Sequence, residues 1–512
     1  MASSILNDVI GPVMPGSSSS HTAGPYHIAK TFSDFVGESI HDVHIVFAPD
    51  SSLAMCYKDQ GTDLALLMGI LGLPITDERF KDVYSLCAER KLDVYFEFES
   101  FAEACHPNSM KLRAKDASDV SFEIIADSTG GGTFQIRYVN GLQVDIRGDA
   151  NYLFVESEEH IDWAAGAKDG DGATRYEEYI NGRYVALIAS VFEMEDEYIR
   201  RLKNSAAVLN VKTAKAIFFP KKGAPISDSG DMMVKFAEGN GLSLGEAALE
   251  YESQLLGVEK HLLNAEMDRR LKVMENAVRL GLSDKCPSMM LLHPTAGKIM
   301  EAENSGRVAV GGMHTRAAAR AIAAMQVNSG QGIVCAAPTA GSSGVMPGIL
   351  VTMLEDMKID RENVRKAMWA AGAVGLTLAD RGTFAAEVCG CQVEVGAAAA
   401  MGAAAVVEAA GGSARQCSDA GAIMLHNTMG LVCDLVQYIV EVPCHSRNGA
   451  FAAQAFVCAD MILGGYVNSI GINGTVDAVV SCGKMLREEL RCTSRGGIAA
   501  APEACLMKRC RC

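Results

Sequence analysis

Ser243 to Leu282 reads SLGEAALEYESQLLGVEKHLLNAEMDRRLKVMENAVRLGL, about forty residues with apolar side chains at helical spacing and no strong breaker. This stretch predicts one or two long helices joining two domains, because the chain changes character across it. Beyond it, Ala317–Met325, Asn363–Leu378, the Ala-rich segment from Ala397 and Ala450–Leu463 all carry helical patterning between Gly and Pro loops. The second half is therefore expected to be all α. Before it, Asp42–Met55, Lys91–Ser100, Val120–Ser128, Gly132–Val139 and Gln143–Gly148 are dense in β-branched and aromatic residues and bounded by turn residues. Thr62–Leu73 reads as a helix among them.

The reading is a multidomain α+β chain: a mixed α/β N-terminal domain over 1–155, a middle segment of uncertain role over 156–240, a helical connection over 241–270 and an all-α domain over 271–512. The stretch Asp169–Tyr184 reads as a polar connection and Glu193–Leu209 as an amphipathic helix, so the middle segment is expected to be an inserted helical subdomain.

Composition narrows the function. At about 150 residues per domain, 512 residues suggest three to four domains, and 49% hydrophobic content supplies large cores. A net charge of −16 argues against a nucleic-acid groove or a membrane-surface helix, which need clustered Lys and Arg. The expected partner is a small molecule. The opening residues MASSILNDVIGPVMPG lack a signal-peptide pattern. The most apolar run, Ala399–Gly412, is short and contains Glu408, so it reads as a buried helix of a cytoplasmic protein.

Sixteen cysteines in so long a chain are not a disulfide framework. Thirteen of them lie from Cys286 onward, which places the expected site in the second half. There Cys391 and Cys444 directly follow Gly390 and Pro443, and Cys433 comes three residues after Gly430, in loops where sites are commonly built. Their spacing matches neither a zinc ribbon nor a bacterial ferredoxin, so buried thiols and a metal site both remain open. The N-terminal loop Gly16–Pro25 (GSSSSHTAGP) sets hydroxyls and His21 before a helical segment, an arrangement suited to an anion or to an ordinary N-cap. Cys335–Gly344 is a second loop of this kind, and His21 is the group in the first able to move a proton near neutral pH.

Taken in order, GSSSSHTAGP (Gly16–Pro25), GTD (Gly61–Asp63), HPNSM (His106–Met110) and STGGG (Ser128–Gly132) are followed by APTAGSSGVMPG (Ala337–Gly348), GCQVEVG (Gly390–Gly396), HNTMGLVCD (His426–Asp434) and VPCHSRN (Val442–Asn448). With these motifs the sequence resembles the iron–sulfur-dependent L-serine dehydratases, or L-serine ammonia-lyases, with their β-type and α-type portions fused. The resemblance implies an oxygen-sensitive lyase of amino-acid degradation that converts L-serine to pyruvate, a gluconeogenic precursor, and ammonia. It also implies a 4Fe-4S cluster held by Cys391, Cys433 and Cys444, with one iron left open as a Lewis acid for the β-hydroxyl.

By the same resemblance, Ser17, Ser19, Ser20, Thr22, Asn108, Thr339, Gly341, Ser342, Arg447 and Asn448 hold substrate. The base is assigned to His21, with Ser18 and His426 as the other candidates. Arg447 is placed to pair with a carboxylate or to form a structural ion pair. Cys389, two residues before Cys391, is read as a bystander with a swapped ligand as the alternative, and Cys512 is the candidate tail ligand among Cys505, Cys510 and Cys512. A homodimer without nucleic-acid or membrane partners is expected. Gln60 departs from the family's GHGTD pattern, where a histidine is common, so L-threonine dehydration and L-cysteine desulfidation remain alternatives. An iron–sulfur redox or oxygen sensor without lyase activity is the alternative of a different class.

Overall fold

The computed structural model describes residues 2–37, 40–115, 121–161 and 173–510. The chain forms two compact units, one of residues 21–222 and one joining residues 1–20 to 223–512. The first twenty residues thus belong with the helices, although the sequence reading grouped them with the strands up to 155.

In the unit of residues 21–222, six strands form a sheet in the order Asp93–Phe98, Asp42–Phe47, Ser109–Lys115, Ser121–Gly130, Thr133–Val139 and Leu142–Ile146. Only its first pair is parallel. Alternation decides the buried face: Met110, Leu112 and Ala114 on one strand and Phe122, Ile124 and Ala126 on the next are buried, and Phe122 meets Phe32 and Phe35 of helix Ala23–Val36.

Within the segment expected to be helical, the described residues complete a four-stranded sheet and form two helices, Asp196–Lys203 and Gly230–Asn240. Strands Val208–Ala214, Asn151–Ser157, Arg183–Ser190 and Thr174–Ile180 pair antiparallel in that order, with the short helix Asp196–Lys203 against them. Leu153, Val155, Ala186 and Ile188 pack there on Tyr198 and Leu202. Thr174–Ile180 is an edge strand with its side chains largely in solvent, so it carries no alternation and resembles a polar linker. The signal that identifies it is Asn181-Gly182, both at positive φ, which closes a two-residue hairpin between Ile180 and Arg183.

His27 lies in the interior of this unit, with its Nδ1 donating to the Gly132 carbonyl at 2.8 Å. Burial pushes its pKa down to about 4. Below pH 6.5 the unfolded chain takes up a proton that the folded one refuses until about pH 4, so this group removes stability as pH falls through that window. The expected size is on the order of 3 kcal/mol at 1.36 kcal/mol per unit. Urea unfolding at pH 7 and pH 4.5 should show a pH dependence that His27→Gln largely removes; an identical dependence in both proteins would refute it.

The other unit is helical, and its two helices Leu244–Leu256 and Lys260–Leu282 are the pair predicted from the forty-residue stretch, divided at Gly257. Ser243 opens the first with a capping box to Glu246. Around them stand Met313–Ser329, Val345–Glu355, Arg361–Arg381, Val395–Ala409, Ala414–Thr428, Cys444–Leu463 and Ile472–Met485. Ala397 to Ala400 are fully buried, since small side chains let neighbouring helices approach closely. Among the described residues one helical stretch, Cys391–Ala409, is long and apolar enough to cross a membrane, and it is 94% buried within the protein.

Candidate active site

Three loops of the helical unit converge. The first reaches Cys391 through Gly390, whose φ of +75° suits glycine and whose missing side chain admits Leu486 and the Leu431 carbonyl. Gln392 ties this loop to the second: its amide nitrogen donates to Leu431 O, its Oε1 accepts from Gly430 N–H at 2.9 Å, and its Nε2 donates to Cys389 O. The second loop carries Cys433, which is bridged through its backbone to Leu490 and Cys492. Cys444, in the third, opens helix Cys444–Leu463.

The donor atoms of Cys391, Cys433 and Glu394 all lie within 4.8 Å of one another. Cys444 is outside that donor group; it is buried, and Asn448 Nδ2 donates both to its carbonyl and to that of Gly341. All three thiols are held well above their ordinary pKa. For Cys391 the causes are its hydrogen bond with Cys433 and then burial. For Cys433 the hydrogen bond from Cys391 lowers the value, but contact with Cys492 and burial outweigh it. For Cys444 burial leads. Thiols kept neutral until a cation ionises them suit metal binding, which releases their protons.

Glu394 is the residue the sequence reading missed. Burial and the Glu387 charge raise its pKa to about 8, against hydrogen bonds from Thr339 and Cys391. Its motif position, three residues after Cys391, was the available signal. Cys389 lies outside the donor group and packs on Gly483.

The two anion-loop candidates meet in this unit. Strand Val13–Pro15 pairs antiparallel with Ile333–Cys335, and Gly16 N–H donates to Gly332 O. Asn328 Nδ2 donates to Ser17 O at 2.8 Å, and Ala340 N–H donates to Ser19 Oγ at 3.3 Å. Thr339 and Ser342 are hydroxyl-bonded at 3.1 Å, and a side chain on Gly341 would approach Glu394. Asn448 links Gly341 O and Cys444 O through its Nδ2 and accepts from Gly344 N–H. Ser17, Ser19, Ser20, Thr339, Ser342 and Asn448 are buried.

A Cβ on Gly16 would lie 1.8 Å from the Asn328 carbonyl oxygen, so any side chain there displaces the serine loop. Gly16→Ala should therefore lower turnover by about 100-fold, the scale of a misplacement near 1 Å. Steady-state kinetics test this, and turnover within threefold of wild type would contradict it.

Two further sequence-derived candidates of this unit, Arg447 and His426, are engaged by neighbours. Arg447 forms an ion pair with the buried Asp434 at 2.9 Å and donates to Val432 O, the structural role the sequence left open. His426, exposed at the end of helix Ala414–Thr428, contacts Thr475 Oγ1 at 3.1 Å. His21, Thr22 and Asn108 belong to the unit of residues 21–222, whose boundary falls inside the serine motif. There His21 Nε2 lies 2.9 Å from Ser52 Oγ, Ser52 N–H donates to Pro107 O next to Asn108, and Thr22 donates to the Gln60 carbonyl. Cys505 is exposed and Cys510 half-buried, while Cys512 lies outside the described residues.

Residues 239–499, just over half of the chain, match the family described as serine dehydratase alpha chain. The chain belongs to the serine dehydratase family. Residues 9–137 match the serine dehydratase beta chain, so this family member carries both portions in one polypeptide. The "Probable L-serine dehydratase, alpha chain" of Bacillus subtilis is 36% identical over 270 residues, covering 53% of this chain and 90% of that protein. The "L-serine dehydratase TdcG" of Escherichia coli is 24% identical over 494 residues, 94% of this chain and 96% of its own. The "L-serine dehydratase, beta chain" of Peptoniphilus asaccharolyticus is 34% identical over 149 residues, 29% of this chain and 66% of that one. Serine dehydratases are carbon–oxygen lyases, and the stretch between the two family matches contains the four-stranded sheet.

Proposed function

We propose that this serine dehydratase family member converts L-serine to pyruvate and ammonia with a 4Fe-4S cluster held by Cys391, Cys433 and Cys444. The observation that carries the reading is that Cys391, Cys433 and Glu394, from loops distant in sequence, bring their donor atoms within 4.8 Å of one another, with the buried Cys444 tied through Asn448 to Gly341. A donor set rich in buried thiols fits iron–sulfur binding. Three thiolates for four irons leave one iron open, and the bound cluster supplies Lewis-acid polarisation of the substrate's carboxylate and β-hydroxyl.

The protein's own groups account for binding and orientation. Ser17, Ser19, Thr339, Ser342 and Asn448 form a buried, hydroxyl- and amide-rich network between the serine loop, the Thr339–Gly344 loop and Cys444, of the polar character that a carboxylate substrate requires. Loss of the α-proton and of the β-hydroxide gives 2-aminoacrylate, which tautomerises to the imine. Water then hydrolyses the imine to pyruvate and ammonia without further help from the protein.

The test is anaerobic reconstitution with iron and sulfide, followed by iron counting and assay of 2-oxo acid from L-serine, L-threonine and L-cysteine in parallel. About four irons per chain and air-labile pyruvate release from L-serine are expected. Preference for another of the three would assign the buried Gln60 to a changed specificity. A full cluster without turnover on any of them would favour a sensor, and absence of a cluster would refute the ligand set.

A further inference from the structure

The serine loop does not contact the helical unit uniformly. Ser17 and Ser19 are engaged by Asn328 and by the Ala340 N–H, which fixes the loop's course. Ser18 and Ser20, the alternate residues, approach each other at 3.2 Å between their hydroxyl oxygens. Ser20 Oγ in turn donates to Glu387 Oε1 at 2.9 Å, and both residues are buried.

A serine hydroxyl carries one proton. With that of Ser20 directed at the carboxylate, the Ser18–Ser20 contact is made by the Ser18 proton, so the chain is polarised from Ser18 through Ser20 to Glu387. Ser18 alone of Ser17 to Ser20 is only half-buried, so the series opens at its Ser18 end.

We infer that Ser18, Ser20 and Glu387 form a proton relay for the elimination, with Ser18 Oγ as the atom that meets the substrate's α-proton. The inference rests on the lyase reading above. As the Cα–H bond breaks, its electron pair forms the Cα=Cβ bond and the β-carbon–oxygen pair leaves on hydroxide. The α-proton passes to Ser18 Oγ while the Ser18 proton moves to Ser20 and the Ser20 proton to Glu387. Reverse movement along the same series delivers a proton to the departing hydroxide as water, and the three side chains return to their starting state. Glu387 acts through the serines and is a positioning residue in this sense. Its carboxylate supplies an acceptor that neither hydroxyl provides alone at neutral pH.

The test compares Glu387→Gln, Glu387→Asp and Ser20→Ala with wild type, each reconstituted anaerobically. Glu387→Gln and Ser20→Ala should lower kcat by about 100-fold or more, the scale of general acid–base catalysis, with KM within about threefold. Iron content and the substrate-induced change in the cluster's spectrum should be retained. The isotope effect on α-deuterated L-serine should rise in both variants, because proton removal becomes rate-limiting. Glu387→Asp should recover part of the loss. Turnover within threefold of wild type in Glu387→Gln, a loss that follows iron content, or a loss with no rise in the isotope effect would each overturn the relay. Failure of the wild type to hold a cluster or turn over L-serine would instead overturn the lyase reading on which it rests.

Discussion

On the proposed reading, Cys433→Ala should leave a folded protein with little iron and turnover lowered at least about 1,000-fold, since the cluster these thiols would hold would supply several kcal/mol of transition-state stabilisation. Cys391→Ala and Cys444→Ala should behave alike. The three thiols lie on separate loops, so removing one leaves the others too few to hold the cluster, while the surrounding helices remain packed through Ala397–Ala400, Trp369 and Phe456. Cys417→Ala and Cys458→Ala should keep both iron and activity. Cys417 donates to Glu408 and Cys458 to the Met424 sulfur, so both act as small core groups outside the donor set. Iron analysis, circular dichroism and pyruvate release on the five variants decide the matter. Full iron and retained turnover in Cys433→Ala would refute the ligand assignment.

The helices were legible in the sequence because helical periodicity persists where one face packs and the other does not, as in Lys260–Leu282. The six-stranded sheet was legible for the same reason at a period of two. The middle segment was not, because its edge strand Thr174–Ile180 buries so little, although Asn181-Gly182 marks its turn. The candidate site was legible as motifs but not as partners. Nothing local to Arg447 says that Asp434 occupies its guanidinium, and nothing local to Ser20 says that Glu387 accepts its proton. Those pairings join positions distant in the chain and follow from the tertiary fold. Residues 1–20 show the same limit, since GSSSSHTAGP is a single motif in sequence whereas the boundary between the units falls after Ser20.

That segment leads to a second large effect. Glu252 is fully buried and accepts from Ser4 Oγ at 2.5 Å and from the Ile5 and Leu6 N–H groups at 2.9 Å each. These are otherwise partnerless donors at the start of the π-helical turn Ile5–Val9. Arg270 holds the other end by donating to the carbonyls of Leu6 and Ile10. Glu252→Ala removes the acceptor and leaves buried donors unsatisfied, with an expected cost of about 3 kcal/mol or more at roughly 1–3 kcal/mol per unsatisfied donor. Glu252→Gln keeps an acceptor and should cost roughly half as much, as neutral hydrogen bonds are about half as strong. Because the segment also leads into strand Val13–Pro15 and Ser17–Ser20, its release should speed amide exchange over residues 3–20 and lower turnover, while the six-stranded sheet exchanges as before. Unchanged exchange over residues 3–20 in Glu252→Ala would mean that strand pairing with Ile333–Cys335 alone holds the serine loop, and that the buried carboxylate contributes little to it.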